Sequence, residues 1–134
     1  MIDKATINEI IDFLELRDKK YMIYMGGSLC VRGLRENTND LDLCVEPDVF
    51  WKMVEKYNAN TYASMKDLKF DLTDPKLGFN VEVFKREKFD TEYSIVDGLA
   101  CQTIKEIIKM KTILNRDKDR RDILMILDSG VPIE

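Results

Sequence analysis

Two groups of residues in this chain have types and spacing suited to chemistry on phosphates. The first is Met25-Gly26-Gly27-Ser28, a glycine pair after an apolar run, and the second is Thr38-Asn39-Asp40-Leu41-Asp42-Leu43, shortly downstream. A phosphate chain carries several negative charges, so its site needs backbone donors that approach closely and cations that neutralise the rest. Gly26 and Gly27 lack the side chains that block such an approach, Ser28 offers a hydroxyl donor, and the start of a following helix adds a partial positive end. Asp40 and Asp42, two residues apart on a strand, point the same way. Two close carboxylates repel one another unless a cation joins them, and hard oxygen ligands select magnesium or manganese. Each group also has a plain alternative, an ordinary strand-to-helix turn for the glycines and a solvated sheet face for the aspartates.

A third acidic residue strengthens the metal reading. Glu82 lies between Val81 and Val83, which take the opposite face of a strand and go to the core. Asp71 is the reserve choice, and a cross-strand surface role remains open for both. Positive charge collects near the C-terminus at Lys105, Lys109, Lys111, Arg116, Lys118, Arg120 and Arg121. Solvated helix faces, paired to residues such as Asp119 and Asp122, account for most of it. Lys111 and Lys118 are the two candidates for contact with a ligand. Phe50, Trp51, Tyr57 and Phe84 read as core rather than as a platform for stacked bases.

These residues need elements to hold them. Ile7, Ile10, Ile11 and Leu14 recur at helical spacing and predict a first helix within 2–16. The run 21–25 predicts a buried strand, Gly26-Gly27 a sharp turn, and 28–34 a short helix ended by Gly33. Residues 40–45 alternate, with Leu41 and Leu43 on one face and both aspartates on the other. Pro47 opens a helix with Val49, Phe50, Met53, Val54 and Tyr57 inward, and Asn58-Ala59-Asn60 breaks it. Alternation over 68–72 and 79–84, across a turn at 73–78, predicts an antiparallel hairpin. A short strand at 94–96 precedes an Asp97-Gly98 turn. Thr103 with Glu106 has capping-box spacing for a helix to about 114, and a last helix runs over about 119–129 to Gly130. No repeat, linker or low-complexity tract interrupts the chain.

The combination resembles a known family. Gly26-Gly27-Ser28, Asp40-Leu41-Asp42-Leu43 and Val81-Glu82-Val83 are similar to the hG(G/S), DhDh and h(D/E)h motifs of the nucleotidyltransferase superfamily that includes DNA polymerase beta. The segment from Lys111 to Asp122 looks like the K…R.KD..D ending of its small bacterial branch, which contains antibiotic nucleotidyltransferases and AbiEii-type toxins. The resemblance spans about residues 20–128. It implies an α+β fold, a mixed β-sheet flanked by helices, and a site for a nucleoside triphosphate (NTP) with two magnesium or manganese ions. By motif, Gly26, Gly27 and Ser28 would hold the β- and γ-phosphates and Lys111 would contact the triphosphate. Asp40 and Asp42 would ligate both metals, and Glu82 would ligate the catalytic one and help to deprotonate the acceptor. Two positions depart from the pattern: Glu36 stands where relatives often carry Arg, with Arg35 beside it, and the third carboxylate is Glu rather than Asp.

Composition bounds the rest. The 134 residues, 45% hydrophobic and 34% charged, predict one domain spanning 1–134. A net charge of -4 argues against a general electrostatic nucleic-acid binder. The chain has no histidine, which removes Ser-His-Asp and Cys-His mechanisms and His-ligated zinc. Cys30, Cys44 and Cys101 form no CxxC pair and read as small apolar residues in a reducing cytoplasm. No signal-peptide core and no run long enough to span a membrane stand in the sequence. The expected function is therefore nucleotidyl transfer from an NTP to a hydroxyl on a small molecule, a protein or a tRNA, with release of pyrophosphate. The alternative is a catalytically idle nucleotide-binding or toxin–antitoxin module of the same fold; a homodimer or an antitoxin is the partner class either reading admits.

Overall fold

A computed structural model describes residues 1–64, 67–73, 80–87 and 93–134 of the chain. Its elements follow in order: helix α1 (Lys4–Phe13), strand β1 (Tyr21–Ile23), helix α2 (Met25–Val31), strand β2 (Asp40–Val45) and helix α3 (Pro47–Tyr57). Strands β3 (Tyr62–Ser64), β4 (Asp67–Thr73), β5 (Asn80–Lys85), β6 (Tyr93–Val96) and β7 (Leu99–Gln102) come next, then helices α4 (Ile104–Leu114) and α5 (Asp117–Asp128). The described strands form one mixed sheet in the order β3-β4-β5-β2-β1-β7-β6. β2 runs parallel to β5 and antiparallel to β1, and β1 runs parallel to β7. The expected mixed sheet with flanking helices is the architecture found.

Local chemistry explains most boundaries. Asp3 caps α1 by accepting from the Thr6 amide at 2.9 Å, and Thr103 caps α4 by accepting from Glu106 at 3.2 Å. Pro47 sits at the start of α3, where its missing N–H costs nothing, and Asn58 ends that helix in the left-handed region at φ 49°. The hairpin of β4 and β5 pairs Thr73 with Asn80; the turn expected at 74–78, and Phe79, lie outside the described residues.

Four expectations need correcting. β1 stops at Ile23, and α2 begins at Met25, so Gly26 and Gly27 lie in the first turn of the helix and the bend falls on Met25, at φ 48°. Two strands were not anticipated: β3 at the sheet edge, and β7, whose four residues are all buried between β1 and β6. Ile2 belongs to no helix; it exchanges 2.8 Å backbone hydrogen bonds with Thr38, tying the N-terminus beside the start of β2. α5 starts two residues earlier than expected because Asp119 reaches back to the Arg116 amide at 3.1 Å.

The core fixes the sheet's orientation. Ile23, Leu41, Leu43, Phe70, Val81 and Val83 fill one face and meet Ile7, Ile10 and Ile11 of α1 and Val49, Phe50 and Met53 of α3. Phe50 and Phe70, both fully buried with centroids 5.2 Å apart, each contribute about 1.5–3 kcal/mol by leaving water. On the opposite face Met22, Tyr24 and Cys44 meet Phe84 and Met110 of α4. Further along that face, β2, β4 and β5 carry polar side chains instead. Among the described residues no helix is long and apolar enough to cross a membrane.

Candidate functional site

Strand register builds the acidic end of the site. Because Leu41 and Leu43 must enter the core, the period of two sends Asp40 and Asp42 to the other face. The parallel partner β5 sets Asn80 beside Asp40 and Glu82 beside Asp42, and β4 then sets Asp71 beside Glu82. One row across three strands therefore reads Asp42, Glu82, Asp71. The next reads Asp40, Asn80, Thr73, linked at 3.5 Å from Asn80 Nδ2 to Asp40 Oδ1 and at 3.2 Å from Thr73 Oγ1 to Asn80 Oδ1.

A cleft of about 660 Å³, within the range of ordinary ligand sites, opens over this face. Asp40, Asp42 and Glu82 line it together with Gly26, Arg35, Thr38, Lys111, Arg116, Lys118 and Asp122. The fold thus brings an acidic strip and a basic group together from opposite ends of the sequence. Asp71 lies one strand further out, beyond this lining, so Glu82 is the better placed of the two candidates for a third carboxylate.

The carboxylates differ in environment. Burial, the hydrogen bond with Glu82 and the negative charges of Glu82 and Asp40 push Asp42 up to about 7, against the pull of Lys69. Its Oδ1 is buried without a hydrogen-bond partner. Burial also acts to raise Glu82, but the hydrogen bond from Asp42 and the Lys69 ammonium outweigh it and hold Glu82 below its usual range. Lys69 is 4% exposed, is ion-paired with Glu82 Oε1, and lies 3.1 Å from Asp71 Oδ1. Its ammonium also sits 5.1 and 5.0 Å from the ring centres of Tyr62 and Phe84, and Tyr62 donates to Asp71 Oδ2 at 2.5 Å. Among the described residues no three His, Cys, Asp or Glu side chains come together as a group that could hold a metal ion, and Glu82 is ion-paired with Lys69. An orphaned, partly desolvated carboxylate oxygen beside two further acids nevertheless fits a hard divalent cation.

The basic group is largely spoken for. Lys111 is buried and pairs with Asp122 Oδ2 at 2.8 Å and Asp119 Oδ1 at 3.4 Å, and Arg35 holds both oxygens of Asp122 at 2.8 Å. Burial acts to raise Asp122, yet Lys111 and Arg35 together hold it low. Lys118 is exposed at the cleft and has no ion pair among the described residues.

The Gly-Gly-Ser segment divides. Gly26 lines the cleft, and a Cβ there would meet Thr38 Oγ1 at 2.9 Å and Arg35 Nη1 at 3.0 Å. A Cβ on Gly27 would instead meet Ile23 Cγ2 and Leu41 Cδ1, both at 2.8 Å, so this glycine lets α2 lie against the sheet. Ser28 is fully buried and donates to the Gln102 carbonyl at 2.8 Å. In this arrangement neither Gly27 nor Ser28 faces the cleft. Gln102 also accepts from the Met25 amide at 3.0 Å, so β7 clamps the entry to α2.

Sequence reasoning passed over Lys69 and Gln102. Lys69 reads as a solvent-facing strand residue, and its signal was the register: it shares a face with Asp71, and Asp71 faces Glu82. Gln102 carried no signal without β7.

The architecture is the minimal nucleotidyltransferase fold. A candidate nucleotidyltransferase from Thermotoga maritima superposes with a TM-score of 0.65 at 12% identity, covering 96% of this chain and 96% of that one. The protein ANT(2")-Ia, solved in complex with adenylyl-2"-tobramycin, gives 0.63 at 12% identity over 94% of this chain and 88% of the other. At such identities the likeness is one of fold. No protein-family profile matches the chain. In sequence it is 31% identical over 116 residues to peptide chain release factor 2 of Clostridium perfringens, a match covering 80% of this chain. The chain spans about a third of the length of that curated relative.

Proposed function

We propose that this chain is a nucleotidyltransferase that moves a nucleoside monophosphate from an NTP to a hydroxyl acceptor and releases pyrophosphate. The observation that carries this reading is the buried, unpartnered Asp42 Oδ1, set beside Glu82 and Asp40 in a cleft that basic residues also line. That ANT(2")-Ia, of the same fold, was solved with an adenylylated molecule supports it. Asp40, Asp42 and Glu82 would hold magnesium or manganese. When bound, those ions neutralise phosphate charge and acidify the attacking hydroxyl.

The chain's own residues supply the rest. The acceptor oxygen bonds to the α-phosphorus, the bond from that phosphorus to the bridging oxygen breaks, and its electron pair leaves with pyrophosphate. Gly26 gives the triphosphate a wall without a side chain, and the Lys118 ammonium is free to meet it. Lys111, tied to Asp119 and Asp122, shapes that wall from behind. Glu82, held ionised, is a good ligand and a weak base, so the acceptor proton passes to water.

The test is magnesium-dependent transfer of an α-labelled nucleotide, with all four NTPs and a broad acceptor panel, and with pyrophosphate measured. Loss of groups that merely support metal ligands costs about 10–100-fold, so Asp42→Ala is expected to lose at least about a hundredfold. Equal signals from wild type and Asp42→Ala sink the reading.

A second reading has its own observation. Glu82 is engaged by Lys69, and Ser28 by Gln102, as in a site that has stopped turning over. On that view the chain is an idle nucleotide-binding module, of the AbiEii or another toxin–antitoxin type, that acts through a protein partner or a second copy. Calorimetry separates the two: metal-dependent NTP binding favours the enzyme, and no binding beside stable co-purification with a partner favours the module.

A further inference from the structure

We infer that Lys69 is a positioning residue that occupies the third carboxylate in place of metal, so that Glu82 must exchange an internal ammonium for the incoming cation. The inference rests on the nucleotidyl-transfer reading above. Lys69 lies on β4, on the same face as Glu82, and its buried ammonium is gripped by Glu82 and Asp71 between the rings of Tyr62 and Phe84. A lysine that merely solvates a strand face would extend into water; this one is 4% exposed. Its partners are also unequal. Asp71 is already satisfied on its second oxygen by Tyr62, whereas Glu82 stands next to Asp42, whose own oxygen is orphaned.

Two consequences follow from charge and geometry. With no divalent ion, Lys69 is the cation that lets three acids share one end of a sheet, and it draws Glu82 out of a shared ligand set. When a divalent ion enters, Lys69 repels it and competes for Glu82, while Asp71 and the two rings keep the ammonium in place. The site is thereby tuned to weaker metal binding than its carboxylates alone would give, and metal arriving together with a triphosphate, which adds ligands of its own, is favoured over metal alone.

The experiment measures Mn2+ affinity of the full chain by calorimetry without nucleotide, for wild type, Lys69→Met and Lys69→Arg. Thermal unfolding checks that each is folded. Removing a unit charge this close to a divalent ion is expected to tighten Mn2+ binding about tenfold or more in Lys69→Met, with Lys69→Arg near wild type. Lys69→Gln, which keeps a donor and loses the charge, takes the place of Lys69→Met if that variant does not fold. Affinity that is unchanged or weaker in the folded neutral variant overturns the role of Lys69, and wild-type transfer activity then leaves the enzyme reading standing. If wild type and every folded variant fail to bind Mn2+, the role of Lys69 falls, and the transfer assay decides the enzyme reading separately.

Discussion

A Cβ placed on Gly27 would lie 2.8 Å from methyl groups of Ile23 and Leu41, both buried and backed by the rest of the sheet core. Alanine would gain about 0.8–1 kcal/mol of helix propensity there, against about 1–3 kcal/mol for forcing a methyl into a filled core. The clash wins, so Gly27→Ala is expected to destabilise by about 1–2 kcal/mol, read from urea unfolding. At Gly26 the obstructing atoms are Thr38 Oγ1, which can turn at the cost of its 3.2 Å bond to the Asp40 carbonyl, and one Arg35 nitrogen, not packed methyls, so Gly26→Ala should lower the unfolding midpoint less than Gly27→Ala while narrowing the cleft. The glycine pair was legible in the sequence as a place where backbone comes close to something. What it approaches was not, because a helix leaning on a sheet and a backbone lying on a phosphate demand the same missing side chain.

The joint between α4 and α5 has its own titration. Asp119, fully buried, accepts from Arg116 Nε at 2.6 Å and from the Arg116 amide at 3.1 Å, and faces Lys111. The Arg116 side chain, more than burial or the amide, moves its carboxyl, which falls from the usual 3.8 to about 2. A carboxyl with a lowered folded value contributes stability above pH 3.8, and that contribution is lost as pH falls through about 2. Asp119→Asn leaves buried Lys111 with one acid instead of two and is expected to cost about 1–3 kcal/mol at pH 7, less than an isolated buried pair because Arg116 is half exposed. Urea unfolding at pH 7 and pH 2 should show that difference shrink at the lower value. Equal differences at both assign the effect to shape rather than charge. Elements of this kind vary in how far sequence exposes them. β2 and α3 were readable to the residue because alternation over Asp40–Leu43 and an N-terminal proline mark them. β7 was hidden, since four consecutive buried residues after a turn have no period, and only the pairing with β1 reveals a central strand. Asp40, Asp42 and Glu82 stood out because acids between core valines and leucines break an apolar rhythm. Lys69 did not, because a lysine alternating with aspartates looks like solvent-facing charge.

Taken whole, the protein carries net charge -4 and gathers part of it in the Asp40, Asp42 and Glu82 strip, where Lys69 is the cation in contact. Asp42 titrates near 7 when folded and near 3.8 when unfolded. A raised folded value means that the stability tied to protonated Asp42 is full below about pH 4 and is lost as pH rises through about 7. The metal-free protein should therefore soften as pH rises from about 4 to about 7, by about 1–2 kcal/mol, and change little above that; Glu82, lowered from 4.5, opposes this only at the acid end of the range. A divalent ion that binds only the folded, ionised site reverses this, because its affinity adds to stability and competes with the proton. Thermal unfolding followed by circular dichroism, with and without millimolar Mn2+, should show a rise in Tm at pH 8 that shrinks toward zero near pH 5. Asp42→Asn should raise the metal-free Tm at pH 8 and abolish the response to Mn2+. A Mn2+ effect equal at both pH values, or preserved in Asp42→Asn, would mean that the ion binds elsewhere on this acidic surface and that Asp42 is not its ligand.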